Sequence, residues 1–457
     1  MTFCVFIIYI FVLPFYLYLS KALTTSKPSA MTNKLNRRNF IKSTAAVSAI
    51  TILNPMTVFG TKANSAVRMG IIGTGERGLS VVGSMSVHTN IHIAAAADLF
   101  EDKLMAGVKE LNSLNKTKGF PELSPSNQFV GSKAYLRLLE RKDIDAVLIS
   151  SPAYTHPEFL EAAVDAGKHI YCEKPASVDV AGCKRVERAG ARANGKLSMV
   201  IGFQIRHATA YAEMVKQIHG GAIGEVINAQ LYYLSSASTF KPFENAGEDE
   251  IKIRNQYKFT ALSGGILLDQ GIHMIDVCNW ALQSSPLTAR GFGGRKGAIS
   301  YGDIWTNFEV AYQYPQDINV SLHCSQVGTN FGDVCARFVG TKGIAEAHYS
   351  GGVFIEGITP WDSGILRNAQ TKLSPDLIAK GATGQALHDS DKNKGQSFIR
   401  SIESGNYLNE TASGAASTLS AIMGRNSAVA NREFSMEEVR SSDEHLDAKL
   451  DLGQFER

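Results

Sequence analysis

The chain is expected to be an α/β protein, with a doubly wound parallel sheet followed by an α+β domain built on a large mixed, mainly antiparallel sheet. Three observations predict this. Between residues 67 and 172, short apolar runs alternate with helix-length segments, as strands buried on both faces of a parallel sheet do. These runs end in Gly, Asp, Ser-Pro or Lys-Pro, which are turn signals. After about residue 200 the pattern changes to the two-residue alternation of strands with one solvated face.

Taken in order, residues 67–72 are a buried strand closed by Gly73, and the loop 73–78 leads into a helix reaching about residue 85. Residues 91–97 are a second buried strand ending at Asp98, and 101–114 are helical. A short strand at 129–130, a short helix at 135–140 and a strand at 146–149 follow, the last closed by Ser150-Ser151-Pro152. Residues 157–166 form a helix stopped by Gly167, and 169–172 a strand ending in Glu173-Lys174-Pro175. In the second part, 226–233 reads as an antiparallel strand and 265–282 as helical. Strands are expected at 308–312, 319–323 and 336–339, and helices at 396–403 and 415–430. Residues 240–258 and 355–395 read as polar, loop-rich insertions.

A length of 457 residues suffices for two domains, here 67–200 and 201–457. With 44% hydrophobic and 19% charged residues and a formal charge of +3, the chain has no dense basic face, which argues against nucleic acid as its partner. Six cysteines, Cys4, Cys172, Cys183, Cys278, Cys324 and Cys335, include no CxxC pair and suggest neither a disulfide framework nor a zinc site.

Residues 1–66 carry targeting information. Residues 3–19 are apolar and marginally long enough to span a membrane, without a basic segment before them. Asn36-Arg37-Arg38-Asn39-Phe40-Ile41-Lys42 then resembles the bacterial twin-arginine export motif, with a mild apolar stretch at 43–53 and Pro55 after it. Met31 just upstream reads as the true start, making 31–66 the signal and the first thirty residues an over-extended frame. The alternative is a membrane anchor with a basic flank. The first reading implies a periplasmic or exported protein with no stable membrane span after processing.

Three motifs carry chemistry. Gly73, Gly75 and Gly78 form GxGxxG between a buried strand and a helix. The first glycine permits a tight turn, the second lets backbone approach a pyrophosphate, and the third lets helix and strand pack closely. Asp98, at the end of the next strand, is placed to bind ribose hydroxyls, so the expected cofactor is a nicotinamide dinucleotide. Its charge favours NAD; NADP is the alternative if Lys103 or Arg77 offsets it. Lys174 is either a solvated loop charge or a functional cation. Asp269 and His273, four apart, share a helical face with Asp276, and a carboxylate beside an imidazole makes a tuned proton acceptor. A capping Asp with a core His is the plainer reading, and a metal site has no matching cluster elsewhere.

Together these motifs resemble the Gfo/Idh/MocA oxidoreductase family. The likeness runs from residue 67 to the end: the Gly73 loop, Asp98, Asp145-Ala146-Val147, Ser151-Pro152, His156, residues 167–175, Gly202-Phe203, Gly224-Glu225-Val226, then Asp269, Gly271, His273 and Asp276, and helices over 398–425. The resemblance implies that Gly73, Gly75, Arg77, Gly78, Asp98, Ser151, Pro152, His156, Glu173 and Lys174 bind NAD. It implies that Lys174, Asp269 and His273 are catalytic, with His273 accepting a hydroxyl proton, Asp269 orienting His273, and Lys174 bonding the substrate oxygen. Lys174, Arg206, Asp269 and His273 would contact the substrate, a sugar or cyclitol, with no metal. Ala153-Tyr154 departs from the polar pair common before His156. The family also implies a homo-oligomer packed through the open sheet face. Export, in turn, favours a tightly held, recycled cofactor. The competing activity is a redox-neutral NAD-dependent glycoside hydrolase of the family 109 type, against which Glu173-Lys174-Pro175 argues. A non-catalytic sensor is the third class.

Overall fold

Apolar runs too short for helices and rich in Ala, Val and Ile fold into six parallel strands: β1 (Val67–Ile72), β2 (Ile91–Asp98), β3 (Gln128–Val130), β4 (Ala146–Ile149), β5 (His169–Cys172) and β6 (Met199–Ile201). Their order is β3-β2-β1-β4-β5-β6, so the chain reverses direction across the sheet between β1 and β4. The computed structural model describes residues 65–236, 239–297, 301–327, 333–367 and 385–456. All but the last two residues of the targeting region lie outside these.

Helices α1 (Glu76–His88), α2 (Glu101–Lys118), α3 (Ala134–Leu139), α4 (His156–Asp165) and α5 (Val180–Ala193) accompany this sheet. The sequence reading missed α5 and β6. In α5, Val180, Cys183, Val186, Ala189 and Ala193 make a buried helical stripe, masked in sequence by intervening Lys and Arg. Asp179 caps it, accepting from Gly182 N at 2.8 Å.

The second sheet holds nine strands: β7 (Val226–Ser235), β8 (Thr288–Gly294), β9 (Asn307–Tyr314), β10 (Ile318–Gln326), β11 (Asp333–Gly340), β12 (Gly343–His348), β13 (Val353–Gly357), β14 (Trp361–Asp362) and β15 (Phe434–Ser435), in the order β14-β13-β12-β11-β7-β10-β9-β8-β15. All pairs are antiparallel except β7 with β10. The expected antiparallel β7 is thus parallel to one neighbour and antiparallel to the other, because alternation fixes which face is buried and not the partner's direction. Its inward residues Ala229, Leu231 and Tyr233 are buried.

Around this sheet lie α6 (Thr209–His219), α7 (Glu248–Arg254), α8 (Thr260–Ser263), α9 (Ile272–Leu282), α10 (Ser390–Ser404), α11 (Thr411–Ala430) and α12 (Met436–Ser441). Two expectations change. The supposed loop 240–258 contains α7, and 355–395 contains the end of β13, all of β14 and the start of α10, with 368–384 outside the described residues. Moreover, α10 returns to the first sheet and packs on α1. Phe398 and Ile399 share a core with Met69, Ile71, Met85 and Tyr171, and the Tyr171 and Phe398 rings meet edge-on at 5.9 Å. Burying Phe398 this way contributes about 1.5–3 kcal/mol. α11 lies against α5 and β8, and the two sheets belong to one compact unit. After α12 the chain continues without regular structure through residue 450 and closes in a turn at Leu452–Phe455. Among the described residues no helix is long and apolar enough to cross a membrane.

Candidate functional site

The glycine turn follows β1. Gly73 has φ +91°, and a Cβ there would lie 2.8 Å from the backbone of Ser150 and Ser151. A Cβ on Gly78 would collide with Ser150 Oγ and the Gly73 carbonyl, whereas one on Gly75 would meet nothing within 4 Å. The first and third glycines are therefore required by the protein itself, and the second opens onto free space. There α1 begins with no side chain capping its first turn. An uncapped helix N-terminus behind an open glycine fits a pyrophosphate. Asp98 accepts from Thr74 N at 2.8 Å, Thr74 Oγ1 at 3.0 Å and Phe100 N at 3.1 Å. Burial raises its pKa against these bonds. A fixed carboxylate at this point suits ribose hydroxyls and repels a 2′-phosphate.

Arg77 is not free to offset that repulsion. Its Nε bonds Glu173 Oε1 at 3.0 Å, and its two terminal nitrogens bond Asp391 at 2.7 and 2.8 Å. Asp391, on the first turn of α10, was not visible as a site residue because it lies 314 positions from Arg77. Glu173 is buried, and a Cβ on Gly202 would lie 2.5 Å from its Oε2, so the glycine after β6 makes room for it. Ser150 Oγ donates to the Gly73 carbonyl at 2.8 Å, and Ser151 Oγ lies 2.6 Å from Thr155 Oγ1, just after Pro152. The His156 ring is buried between the Pro175 and Ser151 carbonyls, at 2.7 and 3.0 Å. It ties together the turns after β4 and β5; burial and then the Lys174 charge lower its pKa.

Lys174 Nζ donates to the Asp269 backbone carbonyl and to Asp269 Oδ1 at 3.3 Å. Asp269 therefore engages Lys174, and no hydrogen bond joins it to His273 among the described residues. The reason is local: Leu267–Gly271 is a π-helical turn, whose wider winding breaks the i,i+4 alignment expected of a regular helix. The expected Asp269–His273 pairing is corrected accordingly. His273, at the start of α9, is buried, with Tyr233 stacked at 6.2 Å and Nδ1 lacking a hydrogen-bond partner. Burial, then the charges of Lys174 and Arg77, push its pKa well below the ordinary value, so the ring is neutral at physiological pH.

Arg206 is a second correction. Its guanidinium is bidentate to Asp276 at 2.8 Å in both bonds, and Ser417 Oγ also donates to Asp276 at 2.8 Å. This is a structural pair of a half-buried guanidinium with a buried carboxylate, which also takes Asp276 away from the face expected to hold Asp269 and His273. Gln204, two residues earlier, faces the cavity instead, with a buried Oε1 that has no partner. The cavity has a volume of about 200 Å³. Arg77, Ser151, His156, Glu173, Lys174, Asp269 and His273 line it. So do Gln204, Tyr233, Gln256, Tyr257, Gln270 and Gln326, which sequence reasoning missed because isolated glutamines and tyrosines carry no motif.

A family model described as "Oxidoreductase family, NAD-binding Rossmann fold" matches residues 67–201, and the GFO/IDH/MocA C-terminal domain model matches 211–346. The chain belongs to the GFO/IDH/MocA oxidoreductase family. Its first sheet is the NAD-binding unit, consistent with the fit of the glycine turn and Asp98. Inositol 2-dehydrogenase of Serratia proteamaculans is 26% identical over 317 residues, 68% of this chain and 79% of that protein. Among solved structures, scyllo-inositol dehydrogenase from Lactobacillus casei with bound NAD(H) and scyllo-inositol has a TM-score of 0.61 at 21% identity, covering 81% of this chain and 99% of that one. Aldose-aldose oxidoreductase from Caulobacter crescentus has a TM-score of 0.62 at 18% identity, covering 81% and 99%.

Proposed function

We propose that the protein is an NAD-dependent oxidoreductase acting on a CH–OH group of a small cyclic polyol, a cyclitol or sugar. The observation that carries the reading is the convergence of Lys174, Asp269 and His273 on one small cavity beside the glycine turn, with Gln204, Gln256, Gln270 and Gln326 on the same wall. A wall of amide, hydroxyl and charged side chains suits a ligand rich in hydroxyls. The cavity is smaller than the roughly 300–1,000 Å³ of drug-sized pockets, which suits a small polyol. The inositol dehydrogenase relatives support a cyclitol.

When bound, NAD supplies the hydride acceptor. Neutral His273 accepts the hydroxyl proton as the carbon gives up its hydride. Lys174, aligned by the carbonyl and carboxylate of Asp269, donates to the substrate oxygen and stabilises the developing alkoxide. Asp269 thus positions Lys174 rather than His273. Gln204 and its neighbours hold the remaining hydroxyls.

A finer reading, supported by the twin-arginine-like motif at 36–42, is a periplasmic enzyme that keeps and recycles its NAD between two substrates. The aldose-aldose oxidoreductase fold neighbour is compatible with this. Self-association through the outer face of the nine-stranded sheet belongs to the same proposal. Redox-neutral glycoside cleavage draws no support from the relatives named above.

The test is to incubate the protein with NAD and a panel of inositols, aldoses and aryl glycosides, following nicotinamide absorbance and identifying products by mass spectrometry. Keto-polyol with matching NADH supports the reading. Aglycone release without any keto product would replace it.

A further inference from the structure

We propose that the C-terminal segment, residues 442–456, is a strap that holds the adenosine end of NAD in its cleft and makes cofactor release slow. The proposal rests on the first sheet being the NAD-binding unit. In such sheets the dinucleotide lies across the carboxyl ends of the strands, at the point where strand order reverses. The segment crosses that edge. It starts beyond β5, where Ala181 N donates to the Glu444 carbonyl at 3.0 Å and Leu446 N to Asp179 Oδ2 at 2.9 Å. It ends beyond β3, where Ser132 N donates to the Phe455 carbonyl at 3.1 Å.

In between, its side chains alternate: Leu446, Ala448, Leu450 and Leu452 are half-buried, while Asp447, Lys449 and Asp451 are exposed. One row of side chains therefore faces the protein and the other faces water, with Lys449 at φ +49° bending the chain between them. Asp451 N and Gln454 Nε2 each donate to Asp249 Oδ2 at 3.0 Å, fastening the segment to α7. α7 in turn sits on the loop after Asp98. The Arg254 guanidinium lies 4.0 Å over the Phe100 ring and bonds Asp102 at 2.9 and 2.7 Å. Phe455 meets the same Phe100 ring edge-on at 5.6 Å, and Phe100 N is one of the donors holding Asp98. The carboxylate suited to the ribose, its loop, α7 and the strap therefore form one bonded series over the adenosine side of the cleft. A ligand beneath such a cover leaves only when the cover opens, so the strap sets the release rate.

The experiment loads the full chain, a Phe455→Ala variant and a chain ending at Lys449 with NADH. Each is diluted into excess NAD, and the loss of protein-bound NADH fluorescence is followed by stopped flow. Melting temperatures check folding, and the NAD that co-purifies is measured by mass spectrometry after denaturation. The expected result for Phe455→Ala is release roughly tenfold faster, about the loss of one aromatic edge contact, with less co-purifying NAD. The shorter chain should release faster still. Equal release rates from three chains that all bind NADH would overturn the strap. Failure of the full chain itself to bind NADH would instead overturn the cofactor assignment beneath it.

Discussion

Replacing Lys174 by methionine keeps most of the side-chain stem and removes the ammonium. The geometry allows no substitute for it: Arg77, also on the cavity wall, is bonded to Glu173 and Asp391. Lys174 is mostly shielded from water, at 15% side-chain exposure, so its bond to a developing alkoxide is strong. A charge-assisted hydrogen bond is worth about 1.5–3 kcal/mol, and a single donor to a developing oxyanion roughly 10²–10³ in kcat. A kcat loss of that size is expected, while the Kd for NAD, measured separately by fluorescence titration, changes little. The pH profile adds a signed check. Lys174 is one of two cations that lower the His273 pKa. Activity needs neutral His273 and is lost as pH falls through that pKa. Removing the cation raises the pKa, so the acid limb of kcat/KM moves to higher pH. Turnover within a few-fold of the parent, or an acid limb moving to lower pH, would refute the reasoning.

Other outcomes follow from the same geometry. Gly75→Ala should melt close to the parent, since its Cβ meets nothing, yet bind NAD at least about tenfold more weakly because the methyl occupies the pyrophosphate's approach; calorimetry reads both. Arg206→Ala should lower the melting temperature strongly, by about 3–5 kcal/mol in stability, because it strands the buried Asp276 carboxylate. Gln204→Ala should instead raise KM for the polyol with little loss of stability. Burial raises the pKa of Glu410, but Lys394 and His207 pull it down to about 2 from 4.5. The stability this gives is full above pH 4.5 and is lost as pH falls towards 2. Lys394→Met should flatten that acid-induced drop in melting temperature and lower the melting point at neutral pH.

Much of this was readable from the chain because the signals were local. The glycine turn, Asp98 and the strand-end Glu173-Lys174-Pro175 each combine a short motif with an element boundary, and the structure puts them at one edge of the first sheet. What escaped was non-local or geometric. Asp391 reaches Arg77 only after the chain has laid down eight of the nine strands of the second sheet. The π-helical turn at Leu267–Gly271 redirects Asp269 by a winding change that residue spacing does not encode. Arg206 looked like a substrate contact, but whether a cation faces a cavity or a buried carboxylate depends on Asp276, 70 residues away. The helix α5 was hidden by its own charges, and β7's parallel neighbour by the indifference of alternation to strand direction.

The return of α10 to the first sheet has a consequence for how the molecule is made. Phe398 and Ile399 finish a core whose other members begin at Val67. The first sheet to leave the ribosome therefore waits, one face incomplete, until nearly the whole chain has been synthesised. Contacts spanning more than three hundred residues slow folding and prolong the exposure of apolar surface. A fragment stopped after β6 would carry the nucleotide-binding motifs but not the helix that seals them. Dissecting the enzyme at that point should give an aggregating half rather than a working cofactor-binding module.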